Sequence, residues 1–305
     1  MMLTALVKDL AALGSIEIVT TRDKRLPALP APAEILTIGE PGEFWPRWAE
    51  MIRSVDAVWP IAPESGGILY RVCELTAGSG RRLLASDPQS VRLTTSKLAT
   101  VQHLTKAGIP AVPTVPLGGS EVFGKASAWV TKPDEGAGAE RTLLFDAADD
   151  LDRWMAVNPN SGMILQPHVA GPAASLSLLC RDGAAWLLTC NEQLIETSGK
   201  EFSYRGFVVG GREVRRSEYQ PIASAVAAAI PGLWGYVGVD LIDGPDGPVV
   251  LEINPRLTTS YAGLGRAIGV NPAELVLDLL NRGIPDIQRP LQVAPQRVDV
   301  ELSDG

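Results

Sequence analysis

Histidine and cysteine are scarce in this chain, and each scarcity removes a class of chemistry. The two histidines among 305 residues, His103 and His168, stand in no nucleophile-elbow context such as GxSxG. A Ser-His-Asp or Cys-His hydrolase is therefore disfavoured, as is a His-rich zinc site. Three cysteines, Cys73, Cys180 and Cys190, form no CxxC pair. An odd count without metal-ligand spacing reads as reduced thiols in a cytoplasmic protein, with Cys180 and Cys190 expected in adjacent strands as core residues. Excess positive charge is missing too. Against 35 Asp and Glu there are 27 Lys and Arg, a net charge of −8, which gives no electrostatic ground for nucleic acid or an anionic membrane. There is no long apolar run. Pro231, Gly232 and Gly235 interrupt the Ala-rich stretch 223–239, and Lys8 and Asp9 interrupt the apolar N-terminus, with no cleavage site following. Neither a membrane span nor a signal peptide is expected. At 46% hydrophobic and 20% charged residues, the composition is that of a globular protein, long enough for two or three domains.

What the chain does contain is concentrated in residues 235–259, GYVGVDLIDGPDGPVVLEINPRLTT. Apolar runs 236–242 and 248–253 flank a turn of Asp243, Gly244, Pro245, Asp246 and Gly247, the composition of a β-hairpin. Asp240 lies late in the first strand. Glu252 and Asn254 end the second and, two residues apart, share one face. If the strands pair, two carboxylates and an amide converge as hard oxygen ligands. They suit Mg²⁺, with Mn²⁺ as a substitute. Arg256 follows, able to grip a phosphoryl or carboxylate group. Spacing alone leaves open a surface hairpin with solvated acids. The apolar setting of Glu252 and Asn254 argues for a partner, because buried polar groups need one.

Upstream, helical spacing covers 3–13 with Gly14 as its stop, and strands at 16–20, 57–61 and 83–85 alternate with helices at 44–55 and 68–77 around a Pro-rich loop at 26–32. The alternation predicts a parallel α/β layer. A helix within 90–107 carries Lys97. A strand over 128–132 ends at Lys132, and the loop after it contains Gly136 and Gly138, glycines that let backbone N–H groups approach phosphates. A helix over 149–157 precedes MILQPHV at 163–169. Two antiparallel strands are expected within 175–195 about Arg181, Asp182 and Gly183, with Asn191 and Gln193 on one face, toward a site or toward solvent. Residues 196–211, glycine-rich with Lys200, Tyr204 and Arg205, read as a substrate or triphosphate loop. Helices at 221–230 and 271–281 flank the hairpin segment, and a tail from 285 holds one short strand at 298–302.

The run GVDLI…VVLEINPR resembles the closing motif of the ATP-grasp ligases. Three further segments resemble other parts of that family in the same order: SKLATVQHLTKAGIPAVPT, the KPDEGAG loop and MILQPHV. The resemblance implies two α+β subdomains holding ATP between antiparallel sheets, after a Rossmann-like pre-ATP-grasp domain. Expected boundaries are 1–90, 91–165, 166–285 and a tail at 286–305. Such leading domains usually open with a strand, and this chain opens with a helix, so an edge-truncated sheet or a start site placed too late is expected. The resemblance also implies roles. Lys97 and Lys132 hold the α- and β-phosphates, and the loop of Gly136 and Gly138 closes over ATP. Gln166, His168 and Val169 form the adenine-binding hinge. Asp240, Glu252 and Asn254 hold one or two Mg²⁺, and Arg256 is catalytic. The chain departs from the pattern at Ser96, where Asp is usual, and at Pro167 and Ala173, where relatives place carboxylates for the ribose.

The implied activity is ligation: a carboxylate takes the γ-phosphoryl of ATP, and an amine displaces phosphate from the acylphosphate. The PESGGIL loop, Asn191 and Gln193, Tyr204 to Gly206, and EINPRLTTSYAGL resemble most the ligases that join glutamate to tyramine for methanofuran-type one-carbon carriers. Glutamate with tyrosine or tyramine is therefore the expected pair. Alternatives are another amino-acid or dipeptide ligase, or an ATP-binding protein without turnover. Partners are ATP and small amino acids or amines, with a homodimer as the family expectation.

Overall fold

The computed structural model describes residues 1–30, 32–118, 126–136, 138–158, 162–284 and 296–301. Helix α1 (Met2–Ala11) buries Leu6 and Val7. Its apolar side packs on helices from the far end of the chain, where Asn271 Nδ2 donates to the Asp9 carbonyl at 2.8 Å. Strand β1 (Val19–Asp23) pairs in parallel with β2 (Glu34–Ile38). After α2 (Phe44–Ser54) comes β3 (Ala57–Val58), then α3 (Ile68–Gly78) and β4 (Arg82–Leu83), with β3 and β4 parallel. The expected parallel alternation is present, but as two separate two-stranded sheets rather than one continuous Rossmann-like layer. Strand β2 was not expected. Its sequence, EILTI, has too few residues after the proline-rich loop to show a clear period.

The single helix expected within 90–107 is two, α4 (Pro88–Thr95) and α5 (Lys97–Lys106). Between them Ser96 is extended, and its side chain accepts from the Ala99 backbone N–H. A serine so placed satisfies an orphan donor of the first turn, which is why the second helix starts there.

Strands β5 (Val115–Pro116), β6 (Trp129–Pro133) and β7 (Leu143–Phe145) lead through α6 (Ala148–Val157) to β8 (Met163–Pro167). Then follow β9 (Ala173–Arg181), β10 (Ala184–Ser198), β11 (Glu201–Val209), α7 (Arg216–Ala229), β12 (Gly235–Gly244) and β13 (Gly247–Asn254). Helices α8 (Tyr261–Ile268) and α9 (Pro272–Asp278) and strand β14 (Val298–Glu301) complete the described chain. Strands β5 to β14 form one ten-stranded sheet in the order β13-β12-β9-β10-β11-β7-β6-β8-β5, with β14 on β11. Its halves meet at β7 and β11 through one register pair, Glu201 with Leu143. Two expectations change here. Residues 196–211 are not a loop: β10 runs on to Ser198 and turns back into β11. Helix α8, too short and glycine-rich to announce itself, was not expected. The tail expected at 286–305 lies mostly outside the described residues; its strand pairs with β11.

Strand alternation divides the wide half of the sheet into two faces. Val237, Val239 and Leu241 of β12, with Leu176, Leu178 and Cys180 of β9, meet Tyr219, Ala223 and Val226 of α7. Cys190 of β10 lies in the same core, so both thiols are core residues on neighbouring strands, as expected. Tyr236 and Leu179 face the other way, toward Tyr261, Leu264, Leu275 and Val276 of α8 and α9. Each fully buried Leu or Val here contributes about 1.5–3 kcal/mol. With both faces covered, the polar residues on this sheet are conspicuous. Among the described residues no helix is long and apolar enough to cross a membrane.

Candidate active site

The hairpin β12–β13 brings Asp240 directly opposite Glu252 and Gly238 opposite Asn254. A register shift after Asp240 inserts one extra residue on β13. Such a bulge re-aims side chains locally, and it ends the regular pairing just where the two acids meet. Asn254 Nδ2 donates to Asp240 Oδ2 at 3.2 Å, and Gln193 Nε2, from β10, to Asp240 Oδ1 at 3.0 Å. Asn191, on the same face, is fully buried. It donates to Ser177 Oγ at 3.1 Å and accepts from the Gly210 N–H. Of the two readings of Asn191 and Gln193, the inward one is observed, with Gln193 in the site.

Two buried lysines close the site, Lys97 from the start of α5 and Lys132 from β6 in the other half of the sheet. Lys97 Nζ lies 3.6 Å from Glu252 Oε2 and donates to the Gly136 carbonyl at 2.9 Å. Lys132, at the end of β6, is 6% exposed. Burial, reinforced by the like charge of Lys97, lowers it to about 8, with Glu252 and Asp240 pulling the other way. Burial and the adjacent Glu252 push Asp240 well above the usual carboxylate range. Burial also pushes Glu252 upward, but Lys97 and then Lys132 outweigh it and hold Glu252 below its ordinary value. Two touching carboxylates resist ionising together unless a cation shares them. Acidic and amide oxygens on one short hairpin fit a hard divalent ion that takes few protein ligands. Among the described residues no group of three or more His, Cys, Asp or Glu gathers; the side-chain oxygens that could meet a cation on this hairpin are those of Asp240, Glu252 and the Asn254 amide.

The loop after β6 is braced on α5. Asp134 accepts from Ser96 Oγ at 2.7 Å and from the Leu98 N–H at 2.8 Å, and the Lys97 N–H donates to its carbonyl at 3.1 Å. Gly136 (φ 133°) and Gly138 (φ 76°) adopt backbone that side chains disfavour. Gln166, on β8, is buried and donates to Thr114 Oγ1 at 2.8 Å. His168 is exposed and tied by its backbone to the Ala128 carbonyl at 2.9 Å, and Val169 is half-buried beside it. Beyond Leu165, β8 is paired only on its β6 side among the described residues. Lys97, Lys132, Gly136, Asp240, Glu252 and Asn254 thus form one cluster, while Gln166 and His168 hydrogen-bond elsewhere, to Thr114 and to the Ala128 carbonyl.

Arg256 is held from outside the hairpin, while its charge still acts on Glu252. Its Nε lies 2.8 Å from Glu64 Oε1, in the turn before α3, and its Nη1 donates to the Leu257 carbonyl at 3.0 Å. Sequence reasoning missed Glu64 and Asp134. Asp134 follows the Lys-Pro of the glycine loop directly, a signal that could have been used. Glu64 lies in the PESGGIL loop, whose resemblance to the ligases was a signal for the segment though not for this residue.

Residues 94–260 match the ATP-grasp domain family, and residues 16–91 the pre-ATP-grasp 3 domain. The chain belongs to the ATP-grasp family. This ATP-grasp chain is 25% identical over 236 residues to tyramine–L-glutamate ligase of Methanocaldococcus jannaschii, covering 76% of the chain and 66% of the relative. It is 28% identical over 213 residues to tyramine–L-glutamate ligase of Methanocaldococcus fervens, covering 69% and 62%. The alignments thus span a little under two thirds of the length of these curated relatives. Among solved structures, an ATP-grasp superfamily protein assigned in Archaeoglobus fulgidus superposes with a TM-score of 0.61 at 27% identity, covering 80% of this chain and 75% of that one. The L-amino acid ligase of Bacillus licheniformis superposes with a TM-score of 0.73 at 14% identity, covering 95% and 74%, a likeness of fold. The fold is ATP-grasp, preceded by a pre-ATP-grasp domain.

Proposed function

We propose that this protein is an ATP-dependent carboxylate–amine ligase that joins glutamate to tyrosine or tyramine through an acylphosphate. The single observation that carries the reading is the half-buried acid pair Asp240–Glu252 facing the buried lysines Lys97 and Lys132. A fold without ATP chemistry has little use for four charges so enclosed. The names of the curated relatives support the choice of glutamate and tyramine, and with it a place in building methanofuran-type carriers. The domain division proposed is 1–90, 91–165, 166–285 and a tail at 286–305.

Phosphoryl transfer needs positioning and charge neutralisation more than proton shuttling. Lys97 and Lys132 hold the α- and β-phosphates, and the loop of Gly136 and Gly138 covers them. Gln166, His168 and Val169 line the adenine end. Asp240, Glu252 and Asn254 hold Mg²⁺ or Mn²⁺, which when bound supplies neutralising charge to the transferring phosphoryl. The glutamate carboxylate attacks the γ-phosphorus and ADP leaves; the amine then attacks the acyl carbon, and phosphate leaves with the former carboxylate oxygen. Arg256 steadies the charge that develops on that carbonyl oxygen. Gln193 and Asn254 fix the Asp240 carboxylate for its role.

The test is ADP release and product mass from protein, Mg²⁺, ATP, glutamate and a panel of amines including tyrosine and tyramine, beside Glu252→Gln. A condensed product that the variant does not form supports the ligase and names its substrates. Condensation with amino acids other than glutamate redirects the reading to another amino-acid ligase. Mg²⁺-dependent ATP binding without ADP release from any pair replaces the proposed substrates, and absence of both replaces the enzyme with a silent fold.

A further inference from the structure

The Glu64–Arg256 contact is an incomplete ion pair in a buried place. Side-chain exposures are 7% for Glu64 and 10% for Arg256. A buried arginine and carboxylate normally meet fork to fork, filling both oxygens. Here Nε lies 2.8 Å from Oε1 without making a hydrogen bond, and both Glu64 oxygens and Arg256 Nε have no hydrogen-bond partner among the described residues. A buried carboxylate with empty lone pairs is costly. The turn carrying it offers room: Gly66 and Gly67 are left-handed (φ 65° and 67°), and a Cβ on either would meet nothing within 4 Å. Two residues before Arg256, Asn254 donates to Asp240. Glu64 reaches the acid pair through Arg256, whose charge also acts on Glu252, an anionic group at the edge of a site that Lys97 and Lys132 share.

We propose that Glu64 docks the ammonium group of the amine substrate, and that this ammonium displaces Arg256, releasing the guanidinium to the acylphosphate; one ammonium proton passes to Glu64 as the nitrogen attacks the acyl carbon and phosphate leaves. The proposal rests on the ligase reading above. A primary ammonium brings three donors on one centre, enough to fill the oxygens that Arg256 leaves empty. The exchange moves one cation out as another moves in, so the buried carboxylate is never left without a counter-charge. It also couples the steps: Arg256 becomes available only when the amine has arrived. Binding of amine and activation of the acyl group then favour each other.

The experiment compares wild type with Glu64→Gln and Glu64→Asp in two assays: condensation with tyramine or tyrosine, and trapping of the acylphosphate from ATP and glutamate by hydroxylamine. In Glu64→Gln the KM for the amine is expected to rise about 10- to 100-fold, while hydroxamate formation without amine rises, because Arg256 is no longer held. Glu64→Asp, which keeps the charge, should recover part of the amine KM. Thermal midpoints and Mg²⁺-ATP binding confirm that the variants are folded. A parallel fall of both assays, an unchanged amine KM, or identical behaviour of the Asp and Gln variants overturns the proposal. A readout that does not depend on turnover separates it from the ligase reading: the side-chain Nε–H signal of Arg256 in nuclear magnetic resonance, assigned with Arg256→Lys. It is expected to shift with tyramine or tyrosine and not with N-acetyltyramine. If no amine in the panel moves that signal, the exchange is wrong whether or not ADP is released.

Discussion

Strand β12 carries two aspartates three residues apart, Asp240 half-buried and Asp243 buried, and the fold treats them in opposite ways. Asp243 points into the face covered by α7. Arg212 donates to its Oδ2, Tyr219 OH donates to the same atom at 2.7 Å, and Arg215 Nη2 lies 3.7 Å from Oδ1. Its backbone is clamped as well: the Asp243 N–H donates to the Pro172 carbonyl at 3.0 Å, and Gly171 lies so close that a Cβ there would reach to 1.9 Å from the Asp243 carbonyl oxygen. Asp240 points the other way and meets two amides and a second acid, Glu252, with no ion pair of its own among the described residues, although the charge of Lys132 reaches it. A carboxylate whose charge is matched inside the fold holds structure. One whose charge is left unmatched is held ready for something the chain does not supply.

That contrast can be broken experimentally. The largest effect expected is on turnover: Glu252→Gln or Asp240→Asn should lower ADP formation by about two to three orders of magnitude, read by coupled assay, while stability stays level or rises in Asp240→Asn, where like-charge repulsion is relieved, and falls in Glu252→Gln, which strands Lys97 and Lys132. Asp243→Ala should do the reverse. Removing it strands Arg212 and the Tyr219 hydroxyl, and denaturant unfolding should show a loss of about 3 kcal/mol, with the folded fraction keeping its ADP-forming activity. Equal destabilisation by the Asp240 and Asp243 variants would dissolve the distinction. Next, Mg²⁺ at about 100 times its Kd should stabilise the wild type by about 2.7 kcal/mol in thermal unfolding. Asp240→Asn should abolish that gain and Tyr219→Phe should preserve it. The smallest effects fall on single supports. Tyr219→Phe, which deletes one hydrogen bond to Asp243, and Ser96→Ala, which uncaps α5 beside Lys97, should each cost about 1 kcal/mol. Of these two, only Ser96→Ala should also raise the KM for ATP.

Much of the site could be read before folding was considered. The hairpin announces itself by Asp-Gly-Pro-Asp-Gly between apolar runs, and the period of two puts Glu252 and Asn254 on one face without further help. The glycine loop is equally plain after Lys132. Elements governed by distant contacts were harder. Residues 196–211 look like a loop because of their glycines, yet they pair along β10 because backbone partners outweigh local preference in a sheet. Strand β2 and helix α8 are short, and their residues make sense only against the layers they join. The orientation of Arg256 toward Glu64 has no sequence signal at all.

By itself the sequence determined the local chemistry: which residues turn, which alternate, and where two acids and an amide share a strand face. Those follow from backbone dihedrals and side-chain periods, which act over a few residues. Only the tertiary structure decided that Lys97 reaches Glu252, that Asp243 is neutralised while Asp240 is not, and that Arg256 is held by Glu64 from another part of the chain. Charge compensation in a buried place depends on distance through space and on loss of water, and neither is written in the order of the residues.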